Sequence, residues 1–266
     1  MSPASLVLRL AGPIQSWGER SRLNRRDTAH APTKSGVIGL LAAAEGRRRQ
    51  DPIEDLCALT LGVRTDQPGS LLRDYHTVSD HRGVPLLSAS VDRHQRQRST
   101  SPAKLTHVTQ RYYLQDAVFV AAVSGPPALL GALAAAVRAP AFPLALGRRS
   151  CPPTLPLLLS GDAADGCWSG PVTDVLARVP WQAGPAHRRR YAGAVAAAAI
   201  DLPVTHDDPA GTDVRDDLPT TFRPADRGFR SRTVTHGWVT VPTCAAADPA
   251  AAGSPPAHDP FALLGW

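Results

Sequence analysis

Ser5-Leu6-Val7-Leu8-Arg9-Leu10 leads into Gly12-Pro13-Ile14-Gln15-Ser16-Trp17-Gly18. After a basic loop, Pro32-Thr33-Lys34-Ser35-Gly36 opens an apolar stretch that runs to Ala44. The first piece is apolar and branched, so it reads as a strand, and Gly12-Pro13 ends it. Val37, Leu40, Leu41 and Ala44 recur at helical spacing, so residues 35–44 are expected to be helical. Gly36 and Gly39 permit close packing on a sheet. A basic loop that ends at a helix N-terminus is a place to hold a phosphate backbone.

Charge points the same way. The first fifty residues carry nine Lys and Arg against three acids, Glu19, Asp27 and Glu45. That local excess equals the +6 net charge of the whole 266-residue chain, because the remaining bases and acids cancel. Only Lys34 and Lys104 are lysine. Arginine pairs phosphate bidentately and stacks on bases. The four cysteines, Cys57, Cys151, Cys167 and Cys244, form no CxxC pair, and no His pair has zinc-finger spacing, so reduced thiols and no metal or cofactor are expected. No apolar run is long enough to span a bilayer, and no basic region precedes the first apolar stretch, so a cytoplasmic protein without membrane contact is expected.

Further along, Asp51-Pro52-Ile53-Glu54 reads as a helix start with Asp51 as its cap. Residues 59–65, 71–78 and 112–123 read as strands and 129–137 as a helix. Between Ser79 and Arg111 the chain is polar and irregular, with six bases and two acids, and is too long for an ordinary connection. Residues 172–177 read as a short helix, 192–200 and 233–241 as strands, and 206–217 as an acidic loop. Residues 244–257 are an Ala/Pro-rich tether, with a terminal turn over 260–266. The order strand, helix, strand, strand, helix, strand is the βαββαβ plan of α+β ferredoxin-like and RNA-recognition folds.

Thr33-Lys34-Ser35 is not a P-loop. That motif needs Gly before the Lys and another five residues earlier, where this chain has Thr33 and Thr28.

Five blocks carry a resemblance. They are Leu8 to Gly18, Pro32 to Leu41, Leu72-Arg73-Asp74-Tyr75-His76-Thr77-Val78, Arg111-Tyr112-Tyr113-Leu114-Gln115-Asp116-Ala117, and Leu146-Gly147-Arg148-Arg149-Ser150-Cys151-Pro152. In this order they resemble the CasD family of the RAMP superfamily, the subunits of type I-E CRISPR Cascade complexes that hold the 5′ handle of the guide RNA. The resemblance implies a ferredoxin-like RNA-binding domain over 1–155, with an extended β-hairpin thumb at about 79–111. It implies a smaller, mainly β portion over 156–243 and a tail over 244–266. The expected partners are the crRNA 5′ handle, a backbone subunit and the large subunit, with target DNA met indirectly through the complex. A non-catalytic role in guide-directed antiviral defence is implied, since a separate subunit cuts the RNA in this subtype.

The blocks nominate side chains. Gln15 is suited to a base edge and Trp17 to base stacking, while Arg20, Arg22 and Arg25 suit phosphates. Lys34 and Ser35 sit at the helix N-terminus. Arg73, Tyr75, His76 and Arg111 flank the polar protrusion, which with the resemblance is expected to lie across the RNA. Arg148, Arg149 and Ser150 occupy a Pro-bounded turn that suits a bent backbone. The alternative is a metal-independent endoribonuclease in which Tyr75, His76, Lys104 and His107 supply the base and the cation.

Overall fold

The computed structural model describes residues 3–18, 24–194 and 198–243. Strand β1 (Ala4–Ala11) is followed by the short strands β2 (Ile14–Gln15) and β3 (Arg25–Arg26), then by helices α1 (Lys34–Ala44) and α2 (Glu54–Cys57). Next come β4 (Thr60–Gln67), β5 (Ser70–Ser79), β6 (Leu86–Val91), β7 (Gln97–Lys104), β8 (Thr106–Gln115) and β9 (Val118–Ser124). Helix α3 (Pro127–Arg138), strand β10 (Trp168–Ser169) and helices α4 (Val172–Arg178) and α5 (Pro185–Ala194) precede the final strands β11 (Ala199–Asp207), β12 (Asp213–Thr221) and β13 (Gly228–Pro242). The protein is thus a mixed α+β fold built mostly on antiparallel pairing.

The main sheet has seven strands in the order β10-β1-β9-β4-β11-β13-β12. Its central strands are apolar on both faces because both faces are covered. Leu6, Leu8 and Leu10 of β1 meet Leu41 of α1 and Leu130 and Leu133 of α3 in one core. Val7 and Val120 face the other way, onto Val172, Val175 and Leu176 of α4. Helix α4 lies so near β4 that a Cβ on Gly62 would fall 2.2 Å from Val172. Buried Arg64 secures the same helix, donating to Val179 O (2.6 Å) and Pro180 O (3.0 Å) at its C-terminal end and to Asp66 at 2.7 and 2.8 Å. Burial pushes the Asp66 carboxyl up, against the pull of that guanidinium.

Two strands leave this sheet at one level. Asp116 adopts a left-handed φ of 54°, which separates β8 from β9. Gly69 does the same between β4 and β5 at φ 71°, where a Cβ would sit 2.4 Å from Gln115 O. The single strand expected over 112–123 is therefore two strands in different sheets. The polar segment 79–111 is not irregular. Strands β5 and β8 pair continuously from Ser70↔Gln115 to Ser79↔Thr106, and β6 and β7 form a second hairpin beyond them. Strand β5 matches the strand expected over 71–78; exposure on both faces removes the apolar alternation that would have announced β7.

Three other expectations change. Residues 192–194 close helix α5, and the following strand begins at Ala199; alanine favours helix unless packing overrides it. The acidic stretch 206–217 contributes the end of β11 and the start of β12. Asp51 does not cap α2, whose cap residue is Ile53; its carboxylate accepts from Arg48 N at 2.6 Å. The tail and its terminal turn lie outside the described residues. Among the described residues no helix is long and apolar enough to cross a membrane.

Candidate nucleic-acid interface

Strands β2, β3 and β5 all pair with β8, forming a small sheet at the base of the hairpin. Side chains of residues paired across strands share a face, and alternate residues along a strand share it too. Register therefore sorts the candidates. Arg25 pairs with Gln110, Tyr75 with Gln110, and Arg73 with Tyr112. These five side chains stand on one face. Contacts agree with the sorting: the Arg25 guanidinium lies 5.1 Å from the Tyr112 ring centroid, and Tyr112 OH reaches Gln110 Oε1 at 3.5 Å. Tyr75 is 61% exposed. Arg25 also donates to Asp27 at 2.9 Å, which raises its already high pKa. An exposed pair of this kind yields readily to a competing phosphate.

The opposite face carries Arg26, Arg111, Asp74, His76 and Tyr113. Asp74 holds the His76 ring, so His76 and Arg111 are not on the face of Arg73 and Tyr75. Tyr75 and His76 are successive residues on one strand and point apart. His107 shares the His76 face and contacts Leu87 O at 3.2 Å. The tyrosine, histidine and lysine of a repeat-cutting site are not gathered on one surface.

The turn at 146–151 braces this sheet from beneath. Arg148 directs all of its described hydrogen bonds to carbonyl oxygens: Tyr112 O (3.1 Å), Arg26 O (2.8 Å) and Asp27 O (3.2 Å). Its guanidinium also lies 4.9 Å from the Tyr113 ring centroid. Arg148 therefore fastens the basic loop to β8 rather than facing solvent as Arg149 does. Ser16 N donates to Leu146 O at 3.1 Å, and Ser150 Oγ lies 3.5 Å from Tyr113 OH. Gly147, at φ 86°, passes so near Ser16 that a Cβ would fall 1.8 Å from its carbonyl oxygen.

Gln15 and Trp17 stand inside the protein, which corrects the surface roles expected of them. Both are 0% exposed. Gln15 Nε2 donates to Leu10 O (2.9 Å) and Ala117 O (2.7 Å), and its Oε1 accepts from Trp17 Nε1 at 3.1 Å. These bonds satisfy carbonyls freed where β1 and β9 run out of the main sheet. The indole fills the space that Gly36 leaves open, where a Cβ would fall 2.7 Å from the ring.

Lys34 and Ser35 are likewise buried. Lys34 N donates to Asp217 Oδ2 at 2.7 Å, and Gly36 N to Thr33 Oγ1 at 3.3 Å. Lys34 Nζ meets Asp207 Oδ2 at 2.7 Å. Arg232 joins the two carboxylates, bonding Asp217 at 2.6 and 3.0 Å and also reaching Asp207. The negative charge expected at this helix N-terminus is present, but the protein supplies it. The acidic stretch that reads as a loop is its source.

Arg20 and Arg22 lie outside the described residues. Tyr112 and Gln110 were not singled out by sequence. Within Tyr112-Tyr113 one ring faces out and one in, a distinction that strand register alone makes.

A family model described as "CRISPR-associated protein (Cas_Cas5)" matches residues 5–235. The chain is 38% identical over 173 residues to the CRISPR system Cascade subunit CasD of Escherichia coli (strain K12), covering 58% of this chain and 69% of that protein. Among solved structures it is similar to a chain of a "CRISPR RNA-guided surveillance complex" (TM-score 0.69, 35% identity, 90% of this chain and 91% of that one). It is also similar to a "Crystal structure of Cas protein" (TM-score 0.61, 34% identity, 90% and 95%).

Proposed function

The chain belongs to the CRISPR-associated Cas5 family, and from that premise we propose that it is a non-catalytic Cascade subunit that binds and caps the 5′ handle of a crRNA. One observation carries the reading. Arg25, Arg73, Tyr75 and Tyr112 stand on one face of the small sheet, so cations and stacking rings alternate over neighbouring strands. Arginine neutralises phosphate and aromatic rings take bases, the pairing that single-stranded RNA needs. Exposed Arg149 lies in the turn beneath this sheet and offers a further cation there.

The finer architecture belongs to the same proposal. The strand order β10-β1-β9-β4, with α1 and α3 on one face, supports a ferredoxin-like βαββαβ core whose last strand, β10, lies beyond the 1–155 expected for it. The β11–β13 strands form the smaller β portion within 156–243. The β5–β8 hairpin is the thumb. It leaves Val78, Val84, Leu87, Val91, Leu105 and Val108 exposed, apolar surface of the kind that a partner covers. This fits a thumb laid across the RNA and covered by a backbone subunit, with the large subunit on another side. DNA is then met through the guide.

Photocrosslinking in the assembled complex tests the reading. A handle carrying 4-thiouridine should label the peptides that contain Arg25, Arg73, Tyr75 or Tyr112. Labelling of other subunits only would make this chain a structural spacer. Specific cleavage of repeat RNA by the purified chain in EDTA would reinstate the nuclease.

A further inference from the structure

Gln110 occupies the middle of a cross-strand row. It pairs with Arg25 on β3 and with Tyr75 on β5, all on the face that the proposed function assigns to RNA. Neighbouring strands lie about 4.8 Å apart, so the row sets a cation, a carboxamide and an aromatic ring side by side within one nucleotide's reach. The three groups have different chemistry. Arg25 offers charge to a phosphate, and exposed Tyr75 offers a π-face to a base. In those roles neither distinguishes one base from another. The carboxamide sets a donor and an acceptor side by side on separate atoms, a pair that fits a base edge bidentately.

Its surroundings leave it free to do so. Gln110 is half-buried, and no hydrogen bond among the described residues uses its amide N–H groups. Its oxygen receives one long contact from Tyr112 OH, at 3.5 Å, which leaves a lone pair open. Its backbone is fixed by the β5–β8 ladder and by Gln110 N donating to Asn24 O at 2.8 Å. The side chain thus projects from a rigid strand. Gln15, the glutamine nominated from the opening segment, spends both ends of its amide inside the protein.

We infer that Gln110 is the residue that reads a base of the bound RNA, with Tyr75 stacking that base and Arg25 holding its phosphate. The inference rests on handle binding as proposed above. It adds a sequence-selective contact, at one nucleotide, to a surface that otherwise binds any strand.

The test is equilibrium binding of the full chain to the repeat-derived 5′ handle RNA, with each position replaced in turn by the other three bases. Wild type should reject substitutions at one position by roughly tenfold to a hundredfold. Gln110→Ala should abolish that rejection and leave discrimination elsewhere unchanged. Gln110→Glu replaces the amide donors with acceptors and should shift the preferred base instead of flattening the profile. If Gln110→Ala folds poorly, the Glu variant decides alone. A Gln110 variant that keeps the full profile, or that weakens every RNA equally, overturns the inference while leaving handle binding intact. A wild-type chain that does not prefer the handle over a scrambled RNA of equal length overturns both.

Discussion

The backbone N–H of Lys34 donates to the carboxylate of Asp217 at 2.7 Å, across 183 residues of sequence. Helix α1 therefore begins on an anion from the edge strand β12. The same carboxylate is gripped by Arg232, and Arg232 and Lys34 share Asp207. Two cations and two anions close a ring that fastens the last strands of the chain to its first helix.

Asp217→Ala should be among the most destabilising substitutions here. It leaves the first N–H of α1 without a partner and Arg232 with Asp207 alone, in a site where Asp217 is 3% exposed. Breaking a buried pair by removing one member costs about 3–5 kcal/mol. Urea unfolding measures it; a loss below about 1 kcal/mol would mean that water replaces the carboxylate.

Gly147→Ala should damage RNA binding without altering surface charge. The added Cβ meets the Ser16 carbonyl, and the positive φ is strained for any residue with a side chain. The strain is about 1–3 kcal/mol before the clash is counted. The turn must shift, and the Arg148 brace shifts with it. Handle affinity should fall while its dependence on salt stays as in wild type.

Arg25→Ala and Arg73→Ala should each flatten the salt dependence of handle affinity by about one counterion, because each guanidinium is placed to neutralise a phosphate. Arg148→Ala should weaken binding with a smaller change in slope, since its fork is spent on carbonyls of the loop and β8. Arg148→Lys should not restore affinity, because a point charge cannot replace a planar fork that serves three oxygens. A full counterion lost on Arg148→Ala would place that side chain on the RNA itself.

Trp17→Leu should lower stability and leave handle affinity, measured on the folded fraction, unchanged. The indole is enclosed and hydrogen-bonded to Gln15. Loss of a buried aromatic costs a few kcal/mol. A selective loss of affinity at unchanged stability would return Trp17 to the surface.

Acid should weaken the loop after α1. Arg47 bonds both oxygens of Asp55 at 2.5 Å and holds that carboxyl below its usual 3.8. A carboxyl depressed in the folded state adds stability above its unfolded pKa and loses it as pH falls through the folded value. Wild type should therefore exceed Asp55→Asn at pH 6, and the gap should close as pH falls below about 4. A gap that persists at pH 2 would show that the pair contributes nothing through charge.

The core elements were legible because their signals are local. Strand β1 and helix α1 form within a residue or two of where residue type and spacing put them. So do α3 and α4, whose apolar spacing needs no partner to be recognised. Of the thumb strands, β5 was legible over 71–78, whereas β6 and β7 were opaque, since a strand exposed on both faces leaves no periodic trace. The candidate site was half legible. Arg25, Arg73 and Tyr75 were nominated and share a face, whereas Gln15, Trp17, Lys34 and Ser35 came from equally suggestive motifs and are enclosed.

By itself the sequence determined the chemistry available and the family to which the chain belongs. Its excess of arginine, its ordered blocks and its apolar segments are properties of the linear chain. Tertiary structure alone decided which groups face outward and which are consumed within the protein. Side chains of a strand alternate between faces, and a single step in register exchanges them. Whether Tyr112 or Tyr113 is offered to a ligand, and whether Lys34 meets a phosphate or Asp207, depends on partners that lie far away in sequence.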